Sequence, residues 1–468
     1  MLEAELLNGL RRVLGDDRVV VDDAGVADRR HDYWVLSHLR AWRGVFEGRP
    51  GAVVRPVSTA EVQEVVRLAA AAGVAVVPFG LGSGVCGGVL PDAGTLLVDL
   101  SSMDNVRRID EVNLTASFDA GVNGLVAEEA VAERGLTIGH WPQSIAVSSV
   151  GGWVSTRAAG QFSTAYGSIE DMVYALEVVL PDGSLVELGQ APRASAGPDL
   201  RHLFLGAEGT MGIVTGVTLA LRRRPEARAW RAFHVPSLAA GLDVQRRILQ
   251  DGWLPPVVRQ YDAREARRTF REWSIKGQGL LLMCHEGPAG RVEAELAAVD
   301  ALAAEGGLTP ADAAAAEHWF GHRNQVPSWE ELFEGGLVVD TIEVSGPWTR
   351  VEEIYDAVIA DVSAVEGVVA VSAHSSHAYR TGVNLYFTFA AAGEPDDLQD
   401  AYWACWDAAM AATARHGGGI AHHHGIGRVR LQHLVHDLGV AGIDLLRTVK
   451  GAVDPAGLMN PGNLLPDA

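Results

Sequence analysis

The chain has 468 residues, enough for two or three domains that each bury a core. Lys and Arg number 38 against 59 Asp and Glu, a net charge of −21, so the surface repels phosphate backbones and no nucleic-acid partner is expected. Cys86, Cys284 and Cys405 are too few for a disulfide framework and form no Cys-x-x-Cys pair, which argues against zinc or an iron–sulfur cluster and fits a reducing compartment.

The first 30 residues mix acids into every apolar stretch, unlike a secretion signal, and no apolar run reaches the roughly 18 residues of a membrane span. The expectation is a cytoplasmic protein with no membrane partner. Residues 2–15 have helical spacing, and Trp34, Trp42 and Phe46 anchor an N-terminal helical segment, 1–49. Ser58-Thr59-Ala60-Glu61 is a capping box, Val62, Val65, Val66 and Ala69 share one helix face, and Gly73 is a helix stop. Strands are predicted at 74–79, 94–100, 114–121 and 211–221, with a hairpin over 174–189 turning at Pro181-Asp182-Gly183-Ser184 and a helix at 123–134. These elements define an α+β domain over 50–225.

Arg222-Arg223-Arg224-Pro225 marks a boundary. Beyond it the pattern predicts strands at 230–235, 257–262, 279–285, 337–344, 367–373 and 383–390, and helices at 237–250, 290–305, 349–361 and 397–416. That succession implies a second domain, 226–416, with one antiparallel sheet and helices on one face. Residues 417–468 read as a closing segment.

Gly80, Gly82, Gly84, Gly87 and Gly88 crowd into residues 77–88 directly after a predicted strand. Glycines there let backbone N–H groups converge on an anion, and a pyrophosphate is the natural guest. No Lys-Ser/Thr follows, which excludes a P-loop, and the spacing does not match a dinucleotide fingerprint. Two more glycine clusters, 148–160 and 206–214, lie in the same domain, enough together to wrap an elongated phosphate-bearing cofactor. Ser148, Ser155 and Thr156 offer hydroxyls to its polar edges.

With these motifs in this order, the chain resembles the FAD-linked oxidase family of the vanillyl-alcohol oxidase type, most closely the alkylglycerone-phosphate synthases and their bacterial relatives. The resemblance is carried by GHWPQS (139–144), SSVGGWVSTRAAG (148–160), YGSIEDMV (166–173), ASAGPDLRHLFLGAEGTMGIVT (194–215), VSGPWTRV (344–351), LYFTF (385–389), GGGIAHHHGIGR (417–428) and VDPAGLMNPGNLLP (453–466). It implies a two-subdomain FAD-binding domain and an antiparallel-sheet cap. By resemblance, Pro78, Gly80, Gly82, Ser83, Gly84 and Val85 hold the FAD pyrophosphate. Pro142, Ser148, Gly151, Gly152, Ser155, Thr156 and Gly160 approach pyrophosphate and isoalloxazine, and Glu208, Gly209, Gly212, Ile213 and Val214 the adenosine side. Residues 77–88 contain no His, and Cys86 matches a small residue of non-covalent relatives, so FAD is expected without a covalent bond.

His422, His423 and His424 lie between glycine runs, which imply a tight loop pressing the histidines against a ligand. Successive side chains of an extended segment point to opposite faces and no acid lies at the usual near spacing, so no metal is expected, although His374 and His377 are further imidazoles. The resemblance gives the run a place on the substrate side of the flavin, with Tyr386 as acid/base. In a strand Tyr386 and Thr388 face away from Leu385, Phe387 and Phe389. A free tyrosine, with pKa about 10, is too weak an acid to act as a base at neutral pH, so an imidazole, His423 or His424, or the flavin's positive side must lower its pKa or relay its proton. His140 and Ser195 match positions near the family's active site. Arg259 is a candidate for a substrate anion or a backbone carbonyl, with a structural salt bridge as the alternative; Arg323 is a weaker candidate.

The resemblance breaks in two places. The arginine that belongs to the synthase's phosphate site falls, counted back from Pro347-Trp348-Thr349-Arg350, on Trp329, beside Glu330 and Glu331. An indole flanked by acids is poor chemistry for a phosphate. The family's GHEPDS reads GHWPQS, with Trp141 and Gln143 in place of acids. An alternative register brings back an arginine, Arg323. The expectation is an oxidoreductase that passes hydride from a small hydroxy- or amino-bearing substrate to flavin N5, with O₂ or another acceptor; Trp141 and Trp329 are candidates to stack on that substrate. The alternatives are a redox-neutral, ether-forming synthase and a non-catalytic flavin carrier. Relatives are often dimers, so a homodimer is expected.

Overall fold

The structure, a computed structural model, describes residues 2–46, 48–189, 191–325 and 328–465. In the N-terminal half, three parallel strands, Ala52–Val54, Leu96–Asp99 and Val76–Phe79, carry Val19–Val20 antiparallel at one edge. A second sheet of five antiparallel strands has the order Val106–Asp110, Thr115–Asp119, Ile213–Ala220, Val173–Val179, Leu185–Leu188. The predicted hairpin is present, with Gly183 at φ 77° in its turn. The helix Thr59–Ala71 starts where its cap predicted: Ser58 Oγ accepts the Glu61 N–H at 3.3 Å. Glu61 does not reach back to Ser58; it accepts the Val57 N–H and pairs with Arg18.

The C-terminal half is one seven-stranded sheet in the order Thr309–Ala311, Ala227–Val235, Gly279–Gly287, Val257–Tyr261, Val368–Ser375, Gly382–Ala392, Leu337–Pro347, every pairing antiparallel. Helices Leu238–Gln250, Ala289–Glu305, Val351–Ser363 and Asp397–Arg415 bury one face around Leu281, Met283, Phe387 and Trp406. The other face is not bare, contrary to the expectation of helices on one side. Leu280, Leu282 and Cys284 alternate onto it and are covered by the short helices Ala263–Thr269 and Ala314–His322 and by Phe162 of the N-terminal half. A strand buried on both faces shows no polar alternation, so its second layer leaves no period in the sequence.

The terminal segments join the halves. Helix Ala4–Leu14 packs into the N-terminal core, whereas Trp34, Leu36 and Leu39 belong to the C-terminal core. The chain end returns to the first domain, where Met459 bridges to Val76 and the Asn460 N–H donates to the Val76 carbonyl. No helix among the described residues is long and apolar enough to cross a membrane.

Candidate active site

Strand register assembles the site. Tyr261 pairs with His374, His374 with Tyr386, and Tyr386 with Glu343, a row across four strands on the face away from the long helices. Tyr386 stacks on His374 with ring centroids 4.9 Å apart; its hydroxyl accepts from Thr341 at 3.1 Å and lies 3.4 Å from His424 Nε2. Burial pushes Tyr386 up to about 12. The Thr341 bond and Arg259 pull it down, but burial outweighs them, and the imidazoles around it are neutral: burial holds His424 at about 4, His422 at about 3 and His423 well below the usual histidine range. At neutral pH Tyr386 is a protonated phenol.

The histidine run is a tight loop rather than an extended strand. Glu343 Oε1 accepts the N–H groups of His422, His423 and His424 at 3.3, 3.0 and 2.7 Å, so the three backbone donors converge and the rings fan outward. The other Glu343 oxygen pairs with Arg430; both side chains are fully buried. Arg430 also donates to the Ile420 and Gly425 carbonyls and to Cys86 Sγ, each at 2.9 Å. One step further along, Glu208 accepts the N–H groups of Ile426 at 2.6 Å and Gly427 at 2.9 Å. The loop thus hangs from two buried carboxylates.

The ring nitrogens of His377, His422 and His423 come within 4.8 Å of one another. Most are already hydrogen-bonded: His377 Nδ1 to Ser163 Oγ at 2.6 Å, His422 Nδ1 to His423 Nδ1 at 2.8 Å and His422 Nε2 to the Tyr379 hydroxyl at 2.8 Å. Ligation by this trio would break those bonds. Arg259 is no salt bridge: Nη2 donates to His374 Nε2 at 2.6 Å and Nε to the Tyr261 hydroxyl, with no carboxylate at ion-pair distance among the described residues. Because His374 accepts at Nε2, its Nδ1 carries the hydrogen and donates to Glu265 at 2.9 Å.

The glycine loops suit a cofactor with a pyrophosphate. The N–H groups of Leu81, Gly82, Ser83, Gly84 and Val85 have no acceptor among the described residues, a run of donors awaiting an anion. A Cβ on Gly80 would sit 2.4 Å from Ser149 Oγ, and one on Gly209 2.8 Å from the Pro78 ring, so all three glycine clusters meet at close approach. His140 is fully buried with both ring nitrogens unpartnered, against Trp153 at 4.5 Å, and burial takes it to about 3. A bound polar ring is the kind of group that satisfies such nitrogens. Ser148 Oγ accepts from Trp153, while Ser155 and Thr156 donate to the Gly151 and Gly152 carbonyls at 3.0 Å. Gly160 backs closely onto the Trp141 N–H, and the Pro142 carbonyl accepts from Ile145. Gly212 leads into Ile213 and Val214, which pair with Val179 and Val178. The Glu208 carboxylate is committed to the histidine loop and Asn463, and its backbone, at φ 49°, donates to the Ser155 carbonyl at 2.8 Å and accepts from Asn460 at 2.7 Å, so Glu208 ties the second and third glycine clusters to the closing segment.

Other predicted residues are dispersed. Arg323 lies over Phe320 at 3.9 Å and Trp141 at 5.7 Å, and burial lowers it to about 10. Trp329 packs on Tyr33 at 5.8 Å, so Trp141 and Trp329 belong to separate aromatic groups and do not jointly stack on one ring. Ser195 is exposed within an exposed stretch. Cys86 is buried, in contact with Arg430, and burial pushes its thiol up to about 12.

Glycine clusters in close approach, a run of N–H groups without acceptors, and a sheet face bearing a phenol and imidazoles suit a flavin enzyme. Residues 50–189 match the FAD binding domain model, and residues 224–464 match the FAD linked oxidases, C-terminal domain model. The chain belongs to the FAD-linked oxidase family, and its cofactor is FAD. It is 32% identical over 480 residues to an uncharacterized FAD-linked oxidoreductase, YgcU, of Escherichia coli strain K12, covering 99% of this chain and 98% of that one. It is 28% identical to the alkyldihydroxyacetonephosphate synthase of Trypanosoma brucei brucei, over 100% of this chain and 81% of that one. A solved alkyldihydroxyacetonephosphate synthase superposes with TM-score 0.84 at 25% identity, covering 99% of this chain and 86% of that one.

Proposed function

We propose that the protein is an oxidase or dehydrogenase acting on a small, anionic hydroxy- or amino-bearing substrate. The observation that carries this reading is Arg259, a guanidinium without a carboxylate partner beside Tyr386 and a set of neutral imidazoles. FAD, when bound, supplies the acceptor for hydride, and O₂ or another acceptor restores it. Arg259 binds the substrate's anionic group and sets its orientation. Tyr386 and His424 hold the reacting hydroxyl or amine by hydrogen bonds, and His423, with Nε2 free of protein partners, takes the proton. The roof of helices and the loop 420–430 keep water from the reacting bond.

Residues 50–225 act as the FAD domain, 226–416 as the cap and 417–468 as the closing segment, with 1–49 spanning both. Non-covalent binding of FAD follows from Cys86, whose raised thiol faces Arg430 and is a poor nucleophile. A second reading, a redox-neutral ether-forming synthase, is favoured by the extent of the match to the synthases; Trp329 in place of an arginine weighs against it. Anaerobic mixing of the FAD-loaded protein with hydroxy acids, amino alcohols and acyloxy ketone phosphates with a long-chain alcohol separates the two. Bleaching of the visible flavin bands with formation of a carbonyl or imine product supports the oxidoreductase. An ether product without lasting bleaching supports the synthase.

A further inference from the structure

An oxidation that removes hydride also releases a proton, which must leave a chamber whose one described cation, Arg259, cannot accept it and whose imidazoles are neutral. Of the imidazoles there, His374 links Arg259 to the buried Glu265, His377 Nδ1 meets Ser163 Oγ, and His424 Nδ1 faces Glu343, at 3.9 Å. His422 joins a second imidazole directly to a tyrosine hydroxyl, Nδ1 meeting His423 Nδ1 and Nε2 meeting Tyr379, each at 2.8 Å.

On the inner side, His423 lies 4.5 Å from His424 and 6.1 Å from Tyr386, ring to ring. Its Nε2 has no protein partner among the described residues and is not sealed from solvent, so it opens on the chamber. On the outer side, the Tyr379 hydroxyl meets His422 Nε2 at 2.8 Å and lies beside the Ser163 and Ser168 hydroxyls. Ser168 donates its backbone N–H to Asp171, whose residue is exposed. Tyr379 itself sits where the chain reaches the surface at Arg380 and Thr381.

Resting on the reading of the site as an oxidoreductase, we propose that His423, His422 and Tyr379 form the route by which the substrate proton leaves, with Tyr379 acting through His422. Two neutral rings in contact through both Nδ1 atoms need one hydrogen between them. His423 carries it, and His422 carries its own on Nε2, donated to Tyr379. A proton arriving at His423 Nε2 sends the Nδ1 proton to His422 Nδ1. The His422 Nε2 proton then passes to the Tyr379 oxygen, and the phenolic proton leaves toward Ser168 and water. One proton enters and one leaves, each N–H or O–H bond broken is replaced by another on the same group, and no oxidation state changes.

The test is Tyr379→Phe, which keeps the ring and removes the relay hydroxyl. Anaerobic stopped-flow reduction of bound FAD by a substrate active with the native protein is followed at fixed pH and ionic strength against rising imidazole concentration. The native protein is expected to be indifferent to imidazole. Tyr379→Phe is expected to reduce about 100-fold more slowly, the low end for a lost proton-transfer group, and to recover as imidazole rises, with FAD content and melting temperature unchanged. A variant that reduces at the native rate, or is slow with no response to imidazole, overturns the proposal. Independently of any substrate, nitrogen-15 spectra of the FAD-loaded protein should show His422 protonated at Nε2; protonation at Nδ1 instead overturns it. If no compound reduces the native flavin, the reading of the reaction falls while the nitrogen spectrum still decides the relay.

Discussion

In the proposed reaction Arg259 is the residue on which substrate choice turns. Its partners, Tyr261 and His374, are neutral, so its charge remains uncompensated at short range until an anion arrives. Arg259→Met is expected to raise KM for an acidic substrate by about 10- to 100-fold, the range of one charge-assisted hydrogen-bonded contact, with a smaller change in kcat. Steady-state kinetics with an acid and its uncharged amide check this, the amide showing little discrimination. Tyr386 is singled out by the family resemblance; alternation in LYFTF only sets it opposite three apolar neighbours, as any half-buried tyrosine of a strand would be. Glu343 and Arg430 were not legible, because they meet across 87 positions and each looks like an ordinary polar residue in its own strand or loop.

At the scale of elements, the histidine loop depends on carboxylates that the substrate never touches. Glu343 gathers three backbone N–H groups and neutralises Arg430, and Arg430 ties the loop to Cys86 in the first glycine cluster. Glu343→Ala strands a fully buried guanidinium, and such a loss is expected to cost about 3–5 kcal/mol of stability, measurable as a fall in the denaturant midpoint of the FAD-loaded protein. The glycine clusters announced a cofactor because glycine in excess marks close backbone approach. The tight loop of GGGIAHHHGIGR was legible from its flanking glycines, but its anchors, Glu343 and Glu208, were hidden because they come from distant strands and loops. The long helices and strands were legible from their periods. The short helices Ala263–Thr269 and Ala314–His322 were not, since they roof a strand with no polar face.

For the whole molecule, burial of ionisable groups sets the response to acid. Burial lowers His38 and His424 to about 4 and His140 and His422 to about 3, so between pH 4.5 and 6 the unfolded chain binds protons there that the folded protein does not. Their contribution is present above the free histidine value and lost as pH falls toward the folded values. Asp32, pushed up to about 7, and Asp340, to about 6, act oppositely, the folded form holding the proton and losing that stability as pH rises through those values. His423 and His377, held well below the usual range by burial, add to the histidine side, so the net effect is a loss of stability on acidification across that window. Denaturant melts at pH 7, 6 and 5 should show the midpoint falling steadily; a midpoint that rises contradicts the neutral histidine chamber.

The central claim is that FAD, held by the glycine loops, is reduced by a substrate positioned against Tyr386 on the cap sheet. The most direct measurement is the rate of flavin bleaching on anaerobic mixing with substrate, native protein beside Tyr386→Phe at equal FAD content. The native protein is expected to bleach rapidly and the variant to be slower by about 100-fold or more. Equal rates in the two proteins would contradict the claim.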